Sequence, residues 1–200
     1  MQRWYTLVYM IIYPFFNLFH PSRAIGLENL PEGGALLCPN HTKASDPFFV
    51  VFAIGLKNRV MAMAKAEILR MPVIGWILSK VGVFGIERGK ADVGAIKTAM
   101  KSLKAGEKLL LFPEGTRVKE GEEGDHEAKN GAAMLSLRTG VPIVPIYIPR
   151  NKNWFRPTPV VIGEAYHPKI AGKKATAEEY DAISAELMER IQALGEQVKA

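Results

Sequence analysis

Residues 35–56 read ALLCPNHTKASDPFFVVFAIGL: a short apolar run, a polar loop, then a second and longer apolar run. The first run follows the turn signal Pro31-Glu32-Gly33-Gly34 and predicts a buried strand over 35–38. Asp46 suits a helix N-cap and Pro47 the first helical position, so 48–56 predicts an apolar helix ending near Lys57 and Asn58. His41 then falls in the loop between strand and helix, five residues ahead of a carboxylate.

The same grammar repeats along the chain. Short apolar runs at 25–30, 60–64, 82–86, 108–112, 142–148 and 160–162 predict strands, the first of them a strand or an extended entry. Helical spacing marks 92–105, closed by Gly106, and 131–138, closed by Gly140. Residues 65–70 and 73–80 form one helical segment broken at Met71-Pro72. Thr176-Ala177-Glu178-Glu179 is a capping box opening a last amphipathic helix with Ile183, Leu187, Ile191 and Leu194 on one face. Strands alternating with helices predict an α/β fold, a mostly parallel central sheet flanked by helices. In such sheets, sites gather at the carboxyl ends of strands, and His41, Arg88, Glu114 and Arg117 all follow predicted strands.

Two hundred residues, 48% of them apolar, make one substantial domain with an appendage. Residues 4–19 are uncharged and carry seven aromatics in sixteen positions. Pro14 and Asn17 interrupt them, and a spanning helix needs about 20 apolar residues. This predicts a membrane-associating helix over 1–20 that lies in the interface or enters one leaflet, against the plainer reading of a helix docked on the core. The domain proper is expected over 21–200. A single cysteine, Cys38, excludes an internal disulfide and fits a reducing compartment. The net charge of +6 is concentrated in 57–108, with eleven Lys/Arg against four Asp/Glu. Such a region attracts phosphate groups. Nucleic acid is disfavoured as the partner, because the aromatics sit in the apolar leader rather than among the basic residues.

A His and an Asp five positions apart would stand about 140° apart on one helix, but the Asp-Pro break lets His41 fold back toward Asp46. A carboxylate on one ring nitrogen fixes the tautomer while the other takes a proton. The alternative is a structural histidine beside a capping aspartate. Ser45 lacks a Gly-x-Ser-x-Gly elbow, Cys38 lies in an apolar strand, and His20, His126 and His167 show no metal-ligand spacing with His41. A base without a protein nucleophile points to a hydroxyl or water of the substrate. The turn at 112–117 is either a neutral Pro-Gly turn or an anion site, with Arg117 and Arg88 gripping a phosphate and Lys65 as a third cation.

Five ordered blocks carry a resemblance: Asn40-His41-x4-Asp46; Lys65-x-Glu67 with Pro72 and Gly75; Gly85-Ile86-Glu87-Arg88; Phe112-Pro113-Glu114-Gly115-Thr116-Arg117; and Val141-Pro142-Ile143-Val144-Pro145. Together, across 25–163, they resemble the glycerolipid acyltransferases, most like the members that acylate 1-acylglycerol-3-phosphate. The resemblance implies that His41 is a general base oriented by Asp46, and that Arg88, Glu114, Gly115 and Arg117 bind the glycerol phosphate. It implies a lysophospholipid acceptor, acyl-CoA or acyl carrier protein as co-substrate with no further cofactor, and a peripheral or monotopic place on the cytoplasmic face of the cell membrane. A different acceptor such as glycerol 3-phosphate, a thioesterase using water, and a non-catalytic lipid-surface binder are the competing expectations.

Overall fold

A computed structural model describes residues 2–87, 92–117 and 129–199. Arg88 and residues 118–128 lie outside the described residues. Among the described residues, seven strands form one sheet in the order β1-β7-β6-β2-β5-β3-β4. They are β1 (Ser22–Ile25), β2 (Ala35–Pro39), β3 (Val60–Lys65), β4 (Val83–Ile86), β5 (Lys108–Leu110), β6 (Ile143–Tyr147) and β7 (Thr158–Ile162). The helices are α1 (Gln2–Phe19), α2 (Asp46–Ile54), α3 (Ala66–Leu69), α4 (Pro72–Lys80), α5 (Val93–Lys104), α6 (Gly131–Thr139) and α7 (Ala177–Lys199). The mostly parallel sheet flanked by helices is the architecture the alternating pattern predicts.

All five residues of β2 are buried, as expected of a central strand covered on both faces. Alternation along it divides the core in two. Leu36 and Cys38 meet Leu103 of α5, Leu135 of α6, and Ile183, Leu187 and Ile191 of α7. Ala35 and Leu37 face Phe49, Val50 and Ile54 of α2. The capping box forms as read: Glu179 N donates to Thr176 Oγ1 at 3.2 Å, and Thr176 N to Glu179 Oε2 at 2.9 Å.

The first strand departs from the expected 25–30. β1 ends at Ile25, and Leu27–Asn29 is a 3-10 turn entered through Gly26 at φ 78. A Cβ on Gly26 would stand 2.3 Å from the Ile162 carbonyl oxygen, so the chain turns there only because the residue is glycine.

Among the described residues, the antiparallel pairing is β6 with β7. β1 runs parallel to β7, with Ser22 opposite Thr158. These two strands therefore start on the sheet edge where the other five end. The chain leaving α1 enters the outermost strand at the end of the sheet where β2 finishes, with β7 and β6 lying between them.

The N-terminal helix docks on the domain along one face, as the plainer expectation had it, and is exposed along the other. One face docks on α2: Tyr9, Tyr13 and Phe16 place their rings 5.2, 5.4 and 5.0 Å from Phe52, and Tyr5 is buried. The opposite stripe of Leu7, Met10, Ile11, Phe15 and Leu18 is exposed. Both ends are tied to the domain, Trp4 by an edge contact to Trp76 at 5.2 Å and Phe19 O by a 2.8 Å hydrogen bond from Phe155 N. Among the described residues, no helix is long and apolar enough to cross a membrane.

Candidate active site

The loop between β2 and α2 is clasped before it is functional. Asn40 Nδ2 donates to the Ile148 carbonyl at 2.9 Å and Asn40 Oδ1 accepts from Ile148 N at 2.8 Å, joining the end of β2 to the end of β6. His41 follows, with its main-chain N–H donating to Glu114 Oε2 at 2.7 Å. Its ring stacks on Phe112 with centroids 3.9 Å apart. Three elements thus fix where the imidazole stands.

Asp46 is fully buried, and Oδ2 collects three partners: His41 Nδ1 at 3.1 Å, Thr42 N at 2.7 Å and Lys43 N at 2.8 Å. This corrects the expectation that Asp46 caps its helix. Ser45 stands at the N-cap position without a side-chain hydrogen bond, and Asp46 is the first residue of α2. The carboxylate turns back to close the His41 loop, because two loop amides and a ring nitrogen converge there.

Oδ1 of Asp46 is 2.8 Å from Lys152 Nζ, whose side chain is 2% exposed. Nζ also lies 3.1 Å from Thr42 Oγ1. Burial alone raises the Asp46 carboxyl, but the His41 hydrogen bond and the Lys152 charge outweigh it and hold the group below the ordinary carboxylate range. Burial pulls Lys152 down from the usual lysine value, against the attraction of Asp46. The result is a His–Asp–Lys line in which the middle carboxylate stays ionised. Nδ1 of His41 is committed to Asp46, and among the described residues no protein hydrogen bond occupies Nε2. That nitrogen is the one available to take a proton.

Phe112 also lines a cleft of about 350 Å³ with Met63, Ile86, Glu87, Leu111, Pro113, Gly115, Lys129, Gly131 and Leu135. Gly115 adopts φ 68, and a Cβ there would stand 2.8 Å from Lys129 Cδ. The glycine lets the lysine stem lie across the turn. Lys65 ends β3 and Arg117 follows β5, both exposed and both on the carboxyl edge of the sheet. Glu114 does not face outward with them: it is buried and held by the His41 amide. Burial raises its carboxyl to about 7, the nearby Asp46 charge adding to this and the His41 amide and Arg150 opposing it. The Cys38 thiol is fully buried and pushed far above its usual value, so it is no nucleophile.

The sequence reading missed Lys152. It lies 110 positions from Thr42, and the only trace was a cation in a segment, 149–163, that carries no acid.

A second cavity, about 130 Å³ and almost wholly apolar, lies between α1, α2, α4 and the sheet. Tyr5, Tyr9, Val51, Phe52, Leu78 and Leu110 are among its walls, and Pro47 and Phe48, next after Asp46, reach it.

A family model described as Acyltransferase matches residues 22–149. The 1-acyl-sn-glycerol-3-phosphate acyltransferase of Bacillus subtilis is 30% identical over 174 residues, covering 84% of each chain. That of Pseudomonas aeruginosa is 30% identical over 164 residues, 76% of this chain and 62% of the relative. A chloroplastic enzyme of the same name from Brassica napus is 35% identical over 139 residues, 68% of this chain and 38% of its own. The chain thus spans well under two thirds of the plant relative. In three dimensions it matches the crystal structure of the 1-acyl-sn-glycerophosphate (LPA) acyltransferase PlsC from Thermotoga maritima with a TM-score of 0.62 and 23% identity, over 100% of this chain and 78% of the other.

Proposed function

The chain belongs to the acyltransferase family, and from that premise we propose that it moves a fatty acyl group from a thioester donor to the free hydroxyl of 1-acylglycerol-3-phosphate, giving phosphatidic acid. The observation that carries the reading is the His41–Asp46 contact at 3.1 Å, with Asp46 buried and charged and His41 at the cleft edge against Phe112.

His41 Nε2 takes the proton from the acceptor hydroxyl as its oxygen attacks the thioester carbonyl. Asp46 holds the ring and supports the imidazolium that forms. The tetrahedral adduct collapses, its C–S bond breaks, and the leaving thiolate receives the proton back from Nε2. No acyl group passes through the protein. The donor is acyl-CoA or acyl carrier protein, without a further cofactor. Lys129, lying over Gly115, and the exposed Arg117 and Lys65 supply cations near the cleft for the acceptor phosphate, with Arg88 assigned there by the resemblance. The apolar cavity beside Pro47 and Phe48 suits part of a fatty chain. The exposed stripe of α1 suits a peripheral or monotopic seat on the cytoplasmic face of the membrane.

Mass spectrometry of products from acyl-CoA and 1-acylglycerol-3-phosphate on vesicles tests this. Phosphatidic acid is expected, with thiol release dependent on the acceptor. His41→Ala is expected to lose roughly 10²–10⁴-fold in rate with melting and vesicle binding unchanged. Thiol release that ignores the acceptor means that water is the acyl acceptor. Full activity in His41→Ala removes the base.

A further inference from the structure

The connection from β6 to β7 carries Lys152 inward and, two residues later, turns two aromatic side chains outward. Trp154 and Phe155 are 64% and 65% exposed. Phe155 stands at φ 60, the one non-glycine residue with positive φ among those described. A bulky side chain adopts that conformation only under constraint. The constraint is visible: Phe155 N donates to Phe19 O, one of the terminal carbonyls α1 cannot satisfy internally. The two rings lie 6.1 and 5.7 Å from that of Phe19. The chain accepts backbone strain to hold two large apolar groups in solvent at the end of an already apolar helix.

The surroundings are one-signed. Residues 1–27 carry Arg3 and Arg23 and no acid, and 149–163 carry Arg150, Lys152 and Arg156 and no acid. Arg3, Arg23 and Arg156 are exposed. An open apolar groove of about 570 Å³ runs between Trp154 and the Ile11, Phe15 and Phe19 side of α1. At the other end of the helix, Trp76 of α4 is half exposed against Trp4. An apolar stripe bounded at each end by tryptophan and rimmed by cations has the chemistry of an anionic bilayer surface, where indole sits at headgroup level.

We propose that the Trp154–Phe155 turn is a second membrane-inserting element that, with the exposed stripe of α1 and with Trp76, seats the enzyme on an anionic lipid bilayer. This rests on the membrane-surface reading of α1 given above. The seat therefore has three parts drawn from separate elements. One of them lies two residues from the lysine that holds Asp46.

The test uses single-tryptophan proteins. Trp4→Phe with Trp76→Phe leaves Trp154 as the fluorophore, and Trp76→Phe with Trp154→Phe leaves Trp4. Vesicles contain phosphatidylglycerol and acyl-brominated phosphatidylcholine. Trp154 emission is expected to shift to the blue and be quenched. In the otherwise native chain, Trp154→Ser with Phe155→Ser is expected to partition roughly tenfold less onto the vesicles, and to keep its rate with a water-soluble short-chain acceptor. Quenching of Trp4 but not Trp154 overturns the inserting turn and leaves the α1 reading standing. Quenching of neither overturns both, while transfer to the soluble acceptor still reports on the proposed chemistry. A vesicle-free dimer that the double serine variant abolishes overturns the proposal in favour of a second copy of the chain.

Discussion

Asp46 and Glu114 are both buried carboxylates in contact with His41, and their surroundings drive them apart. Asp46 has a cation and three hydrogen-bond donors and stays ionised. Glu114 has one amide donor and the charge of Asp46 nearby, and its carboxyl rises to about 7. The folded value lies above the unfolded one near 4.5. The stability Glu114 contributes is therefore complete below about pH 4.5 and is lost as pH rises through about 7. Glu114→Gln keeps an acceptor for the His41 amide and removes the titration. Its unfolding free energy is expected to fall less than that of the parent between pH 5 and 8, a difference on the order of 1–3 kcal/mol at the alkaline end, read from thermal unfolding across pH. Lys152 sets a second expectation. Lys152→Met leaves a buried carboxylate without its cation, at roughly 3–5 kcal/mol in stability. Since Lys152 touches Asp46 and Thr42 and is not among the cleft walls, kcat should fall with KM little changed, and Lys152→Arg should recover part of it in steady-state assays.

Gly75 shows an element depending on one missing methyl group. It sits in α4 where the helix crosses the end of α3, and a Cβ there would stand 2.0 Å from the Leu69 carbonyl oxygen. Backbone cannot yield as a flexible side chain can. Gly75→Ala is expected to displace α4 and destabilise the protein by about 1–3 kcal/mol, measured by chemical unfolding. A silent substitution would mean that the α3–α4 crossing is soft. The break at Met71-Pro72 was legible in the sequence because proline acts locally, and so were α2, the Gly140 stop and the Thr176 capping box. The end of β1 was not read correctly, because Gly26 turns against the Ile162 carbonyl, a neighbour known only once β1 and β7 are paired.

At the scale of the whole molecule, the sheet edge gathers what the chain separates. Loops after β2, β5 and β6 bring His41, Phe112 with Glu114, and Lys152 together. Two of those three loops carry motifs of fixed spacing, so they could be named from sequence. The third carries a lysine with no local signature, and its role exists only through β6 lying beside β2. The pairing of His41 with Asp46 was legible from the Asp-Pro break, but the helix-capping role read for Asp46 was not correct, for a related reason. Its position suited a helix cap, and only the loop geometry shows the oxygen engaged elsewhere.

The reversal of β7 and β1 against the other five strands bears on how the reaction is supplied. Because those two strands begin on the edge where the rest end, α1 and the Trp154 turn come to the same edge as His41. On the proposed reaction and membrane seat, a lipid acceptor would reach His41 by lateral diffusion and would need to raise no more than its head. The concentration governing turnover would then be a mole fraction within one leaflet rather than an amount per volume of water. The product of the proposed transfer would stay in the sheet of lipid from which its precursor came.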